Sequence, residues 1–310
     1  MVSFIFSRLK TNVRLFLFGF LCLNGCDIQK QDNESEIDNS RAYFDTKISR
    51  PLSELRSYAK EMALKRPQLK LASEVPALRE YYSKAKDRLY KKDFEAAEIM
   101  FLGMAEQGYA DAQTYLSGFY IGNHDEPVAL RDTEKSAYWL EKAMNSGYTV
   151  AQYDHALSFY VGNFHDENWG KYAEWSYIAA EQGHAKAQDT LGGLYLTERG
   201  VEKDLIESYK WFSLAIARYQ LPKEGEEISK GSPLNITLWS RDLLISREGM
   251  TTEQVKEAKR RAIEWEKSHP YAYPPINKDT NIEWKDIDLA SDAIKALEEQ
   301  KLNETIKADN

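Results

Sequence analysis

Few side chains in this 310-residue chain are able to do covalent or metal chemistry. Its only thiols are Cys22 and Cys26, and its five histidines are scattered. Two histidines recur in matching surroundings. His124-Asp125-Glu126 follows Gly122-Asn123, and His165-Asp166-Glu167 follows Gly162-Asn163-Phe164. Imidazole beside carboxylates is donor chemistry for Zn²⁺, and it also responds to pH near neutrality. The same residues suit solvated turns that a duplicated segment would copy together. Loops in neighbouring duplicates also stand a repeat's width apart, which is long for one shared ion. The sequence therefore assigns no metal, no cofactor and no catalytic residue. No Gly-rich phosphate cradle appears, and no serine sits in a nucleophile elbow.

Cys26 belongs to a different kind of chemistry, set by the segment before it. Residues 1–14 carry Arg8, Lys10 and Arg14 with no acid, and residues 15–25 are almost wholly apolar. This is the layout of an export leader. The apolar run falls short of the roughly 20 residues that span a bilayer. Leu23 at −3, Gly25 at −1 and Cys26 at +1 resemble the lipobox of bacterial lipoproteins, although Asn24 at −2 departs from the usual small or β-branched residue. The resemblance implies that residues 1–25 are a signal peptide and that Cys26 is acylated and becomes the first mature residue. A membrane would then hold the protein through the lipid. One chain, at ~0.8 kcal/mol per buried CH₂, anchors only marginally, whereas two or more hold stably. By the same resemblance Asp27 marks retention at the inner membrane. The expectation is an exported, lipid-anchored protein on the periplasmic face of the bacterial inner membrane. An ordinary secretion signal with a chance cysteine is the alternative.

The positioning elements follow from composition and period. The chain has 41 Lys+Arg against 49 Asp+Glu, a net charge of −8 that becomes −11 once Arg8, Lys10 and Arg14 leave with the leader. An acidic surface argues against nucleic acid as a partner, since that recognition needs a basic footprint. Without thiols beyond the leader and Cys26, no disulfide supports the fold, so packing must. The 19 Tyr, 12 Phe and 7 Trp supply the large apolar pieces. Residues 26–41 are polar and read as a flexible tether with a reach of ~20 Å. Residues 42–75, around Leu52-Ser53-Glu54-Leu55, carry mixed helical patterning that sequence alone does not place.

From 76 to 220 the chain repeats itself. Gly108, Gly147 and Gly183 each lead a run ending in Ala-Gln, namely Ala112-Gln113, Ala151-Gln152 and Ala187-Gln188. Trp139 and Trp175 stand in phase before two of these glycines, and Trp211 continues the series. Tyr120, Tyr160 and Tyr195 stand in phase after each Ala-Gln. A period of 30–40 residues is the mark of a solenoid. Within each unit, Ala187, Leu191 and Tyr195 share one face of a helix. Residues 136–143 form a second amphipathic helix, and Gly147 suits the left-handed turn that stops it. The six phased aromatics are expected in the core.

These motifs resemble the Sel1-like repeat, a relative of the tetratricopeptide repeat. Its pattern holds A-x-x-x-L-G-x-x-Y, a G-V-x-K-D loop and A-x-x-W-x-x-x-A-A-x-x-G. Leu191-Gly192-Gly193-Leu194-Tyr195, Gly200-Val201-Glu202-Lys203-Asp204 and Trp175 through Gly183 match it. Units fall at 110–148, 149–184 and 185–220, with a degenerate one at 76–109, covering nearly half the chain. The second unit carries one extra residue, and the first two loops lack G-V-x-K-D. The resemblance implies an all-α, right-handed α/α solenoid. Residues 221–268 would close it, with a helix over 233–247 and another opened by Thr251 and Gln254 as a capping box. Residues 269–310 read as a Pro- and Tyr-rich stretch followed by a polar helix over 289–306.

In such solenoids the first helices line the concave side, which receives a partner. The positions there on which the repeat pattern is silent are Tyr115, Tyr153, Asp154, His155, Asp189 and Thr190, the candidate partner-binding residues. The family resemblance implies a non-enzymatic protein–protein interaction module, here an envelope adaptor. A narrower alternative is an immunity protein that neutralises an antibacterial effector such as a secreted lipase.

Overall fold

The computed structural model describes residues 47–122, 127, 130–162, 167–219, 228–270 and 272. Cys26, Asp27, the tether, both His-Asp-Glu runs except Glu167, and the expected 289–306 helix lie outside the described residues. Within them the chain forms eleven α-helices and one isolated bridge, Lys70 to Tyr109. The repeat region supplies four helix pairs. They are α2 (Pro76–Tyr90) with α3 (Phe94–Glu106), α4 (Ala110–Ile121) with α5 (Thr133–Asn145), α6 (Thr149–Val161) with α7 (Trp169–Glu181), and α8 (Ala185–Thr197) with α9 (Leu205–Ile216). Each packs on the next in chain order, giving an all-α solenoid.

The recurring residues have recurring jobs. Asp132, Asn168 and Asp204 precede the second helices α5, α7 and α9, and their side chains accept from Lys135 N, Lys171 N, and Ile206 N with Glu207 N. Each such cap contributes about 1 kcal/mol. The glutamine of Ala-Gln works backwards along the array. Gln113 donates to Ala105 O at 3.0 Å and Gln188 to Ala180 O at 3.1 Å, satisfying carbonyls that a helix end leaves open. Ser136 and Ser208 donate to Ser117 O and Gly192 O, both at 2.7 Å, and tie second helices to first helices. Gly192 is small for a reason: a Cβ there would stand 2.5 Å from the Phe212 ring. Tyr120, Trp139, Tyr195 and Trp211 are buried as expected, while Tyr160 and Trp175 are half-buried against the core.

The segment that the sequence left unplaced is a strap. Ile48 N donates to Gly200 O at 2.8 Å. Helix α1 (Leu52–Lys65) then lies on α7, with Leu55 and Ala59 fully buried in the same core as Tyr177 and Leu191. Past a short 3₁₀ turn (Arg66–Gln68), Ala110 N donates to Lys70 O at 2.9 Å. The Asp111 carboxylate accepts from Ala72 N and Ser73 N at 2.8 and 2.9 Å. The strap thus runs against the direction of the repeats, from the third clear unit back to the first. Gly147 lets it pass. With φ +88°, a Cβ at that position would meet Met62 O at 2.6 Å.

Two helices close the array. Helix α10 (Pro233–Ser246) buries Leu238 and Leu244, and α11 (Thr252–Ser268) opens with the Thr251–Gln254 capping box. Both pack on α9. The end of α11 brings Trp265 and His269 to the strap.

Candidate functional site

The structure draws four of the six nominated residues into one group. Tyr153 of α6 and Thr190 of α8 share a hydroxyl–hydroxyl bond of 2.8 Å. Asp189 accepts from Thr237 Oγ1 of α10 at 2.7 Å. Asp154 and Asp189 both act electrostatically on the Tyr153 phenol, and Asp189 also acts on Tyr219. The other two are occupied with packing. Tyr115 stacks on Phe101 at 4.9 Å, almost parallel, and joins the first helix pairs. His155 stands edge-on to Trp175 at 4.6 Å. The sequence pattern is silent at Tyr115 because a one-off aromatic contact, rather than a repeated one, uses it.

The electrostatics of the group are unusual for carboxylates. Asp154 and Asp189 are half-buried, yet crowded enough that lost hydration pushes both up to about 6. Lys186 partly offsets this at Asp154, and the Thr237 hydroxyl does so at Asp189. Asp154 has no hydrogen-bond or ion-pair partner among the described residues. His184, whose ring lies 5.0 Å from that of Tyr153, brings no charge, since burial holds it down at about 4. The arrangement leaves a negative field that the chain itself does not neutralise.

A second polar centre escaped sequence reasoning. Glu181, fully buried at the end of α7, accepts from His269 Nε2 at 2.6 Å, Arg56 Nε at 3.3 Å and Trp265 Nε1 at 3.4 Å. The His269 ring stacks on Trp265 at 4.3 Å, and Arg56 also donates to Tyr177 Oη at 2.9 Å. One turn and a half earlier, Glu174 accepts from Ser49 N, Ser49 Oγ and Lys171 Nζ at 2.8–2.9 Å. Burial alone would raise both glutamates. At Glu174 the Lys171 and Ser49 hydrogen bonds outweigh it and hold the group at about 2, and at Glu181 the His269 bond and the charges around it also win. In the sequence Glu181-Gln182-Gly183 reads as a polar turn. Its burial depends on two segments outside the repeat phase, so no local signal marks it.

No protein-family model and no curated protein matches the chain. Among solved structures it is similar to c5321, a protective antigen of uropathogenic Escherichia coli strains displaying an SLR fold, at 25% identity and a TM-score of 0.44. That match covers 56% of this chain and 33% of the antigen's, so it spans about a third of the antigen's length. The chain is also similar to a Sel1 repeat protein from Oxalobacter formigenes, at 22% identity and a TM-score of 0.35, covering 54% of this chain and 97% of that one. The fold assignment rests on the helix pairing itself. Among the described residues no three His, Cys, Asp or Glu side chains are grouped to hold a metal ion, and no helix is long and apolar enough to cross a membrane.

Proposed function

We propose that the chain is a membrane-tethered interaction module that binds a partner protein through its first-helix row. The observation that carries this reading is the poorly hydrated, unneutralised pair Asp154 and Asp189 beside Tyr153. A carboxylate kept from water and left without a cation costs stability. That cost is offset when a partner's Lys or Arg reaches it, with Tyr153 giving contact area at small entropic cost. The repeat motifs in the sequence support the same class of role. Anchoring through Cys26 and retention through Asp27 complete the proposal: a tethered receptor for a partner with a basic contact, at the periplasmic face of the inner membrane.

Capture from crosslinked cells, compared between wild type and the Asp154→Asn, Asp189→Asn double variant, tests the site. The expected outcome is loss of most of one crosslinked partner while the variant remains folded. Equal recovery with both proteins would refute the row as the binding surface. One stoichiometric partner with antibacterial activity would select the immunity role, whereas several envelope components would select the adaptor. Cys26→Ser should release the protein from membranes, and continued attachment would refute the lipid anchor.

A further inference from the structure

The strap and the closing helix leave between them a cleft of about 540 Å³, floored by α9. Its walls are polar where two neighbouring helices would ordinarily bury apolar faces. Helix α1 turns Ser53, Ser57 and Lys60 toward it, one face at i, i+4 and i+7, and α11 contributes Arg261. Lys210 of α9 and Arg56 of the strap complete the cationic lining. Four cations therefore face two carboxylates, Glu207 and Glu264. Part of that charge is spoken for. Glu207 pairs with Lys210 and Arg261, Glu264 pairs outward with Arg260, and Arg56 pairs with the buried Glu181. Lys60 is exposed and has no partner among the described residues. On a chain of net charge −8, a polar concavity with a local cationic surplus is a site of focused positive potential.

We infer that this cleft binds a soluble small molecule carrying a phosphate group. The donors come from three helices and surround the space. A planar carboxylate offers only two oxygens to them, whereas a tetrahedral phosphate has acceptors for guanidinium, ammonium and hydroxyl groups at once. The small Ser53 and Ser57 leave room for the oxygens and provide hydroxyl donors. The volume lies within the range of small-molecule sites and exceeds a bare phosphate, leaving space for an organic remainder. None of this involves the first-helix row, so the inference stands apart from the proposed partner site.

Isothermal titration of the full chain with inorganic phosphate and with glycerol 3-phosphate tests it. Saturable binding is expected for both, tighter for the ester. Lys60→Ala should weaken it about tenfold, the worth of one charge-assisted contact. Ser57→Asp should abolish it by placing a negative charge in the cleft. Both side chains are exposed, so melting temperatures should stay unchanged. No saturable binding by wild type, or binding indifferent to both variants, overturns the inference. Dioctanoyl phosphatidic acid is the lipid arm: binding much tighter than that of glycerol 3-phosphate would assign the site to a lipid headgroup and overturn the soluble ligand.

Discussion

Glu174 and Glu181 lie on a second helix and Asp154 and Asp189 on first helices, yet their surroundings act on the two pairs in opposite directions. Around the glutamates the strap and α11 bring hydrogen-bond donors, and at least one carboxyl is held as low as about 2. Around the aspartates, water is thinned without donors arriving in number, and both rise to about 6. The first pair is complete within the chain and acts as a fastening. The second is incomplete. A stack built from near-identical units thus acquires its different regions from what lies against each row, not from the repeat itself.

The largest effect should come from the fastened side. Glu181→Ala leaves the Arg56 and His269 side chains without their shared partner, a loss of ~3–5 kcal/mol for a broken buried pair. Urea denaturation should show it, with a fall in melting temperature of about 10 °C. A loss below ~1 kcal/mol would mean that the pair is solvated in solution and that the contrast drawn above fails. Gly147→Ala comes next, at ~2–3 kcal/mol, because it adds a left-handed strain to a collision with Met62 O at 2.6 Å. Faster amide exchange confined to residues 52–65 would identify strap release as the cause. Uniform acceleration along the array would instead point to damage at the end of α5.

The incomplete side predicts the reverse sign. Asp154→Asn and Asp189→Asn should each raise stability, by roughly 1 kcal/mol after allowance for solvent screening, since each removes a poorly hydrated charge. Lower stability in both would mean that water or a cation already satisfies them. The smallest effect is the pH profile of the wild type. A carboxylate whose folded pKa is raised carries its cost above that pKa, so the cost at the aspartates is present at pH 7 and fades as the pH falls through about 6. Glu174, held at about 2, contributes fully above the ordinary carboxylate range and loses that contribution as the pH falls toward 2. The melting temperature should therefore rise gently from pH 7 to about 5 and fall below about 4. The double Asn variant should lack the upper slope. An unchanged slope would assign it to other groups.

The repeating part of this architecture was readable from the sequence because each job recurs. Gly147 and Gly183 end second helices, Gln113 and Gln188 cap the carbonyls before them, and Trp139 and Trp211 fill equivalent places. Each signal is confirmed by its copies. The strap has no copy. Arg56, Ser49 and Met62 meet Glu181, Glu174 and Gly147 across more than 80 residues of chain, and nothing near any of them in the sequence announces the other. The nominated partner residues fall between these cases. Their row was identifiable by phase, but the use of Tyr115 and His155 in packing depends on Phe101 and Trp175, which only the folded stack places beside them.

The backward course of the strap also has a mechanical meaning. A stack of repeats contacting only their neighbours transmits load from unit to unit, and pulling on its N-terminal end frays the first unit first. Here the chain enters the body at Lys47 and Ile48, against Gly200 and Val201, and reaches the first clear unit only at Ala72. Tension arriving through the N-terminal chain is therefore felt at the third unit. It must strip the Gly200, Glu174 and Glu181 attachments in turn before it reaches Asp111, so the helix pairs remain unloaded until the strap has peeled away.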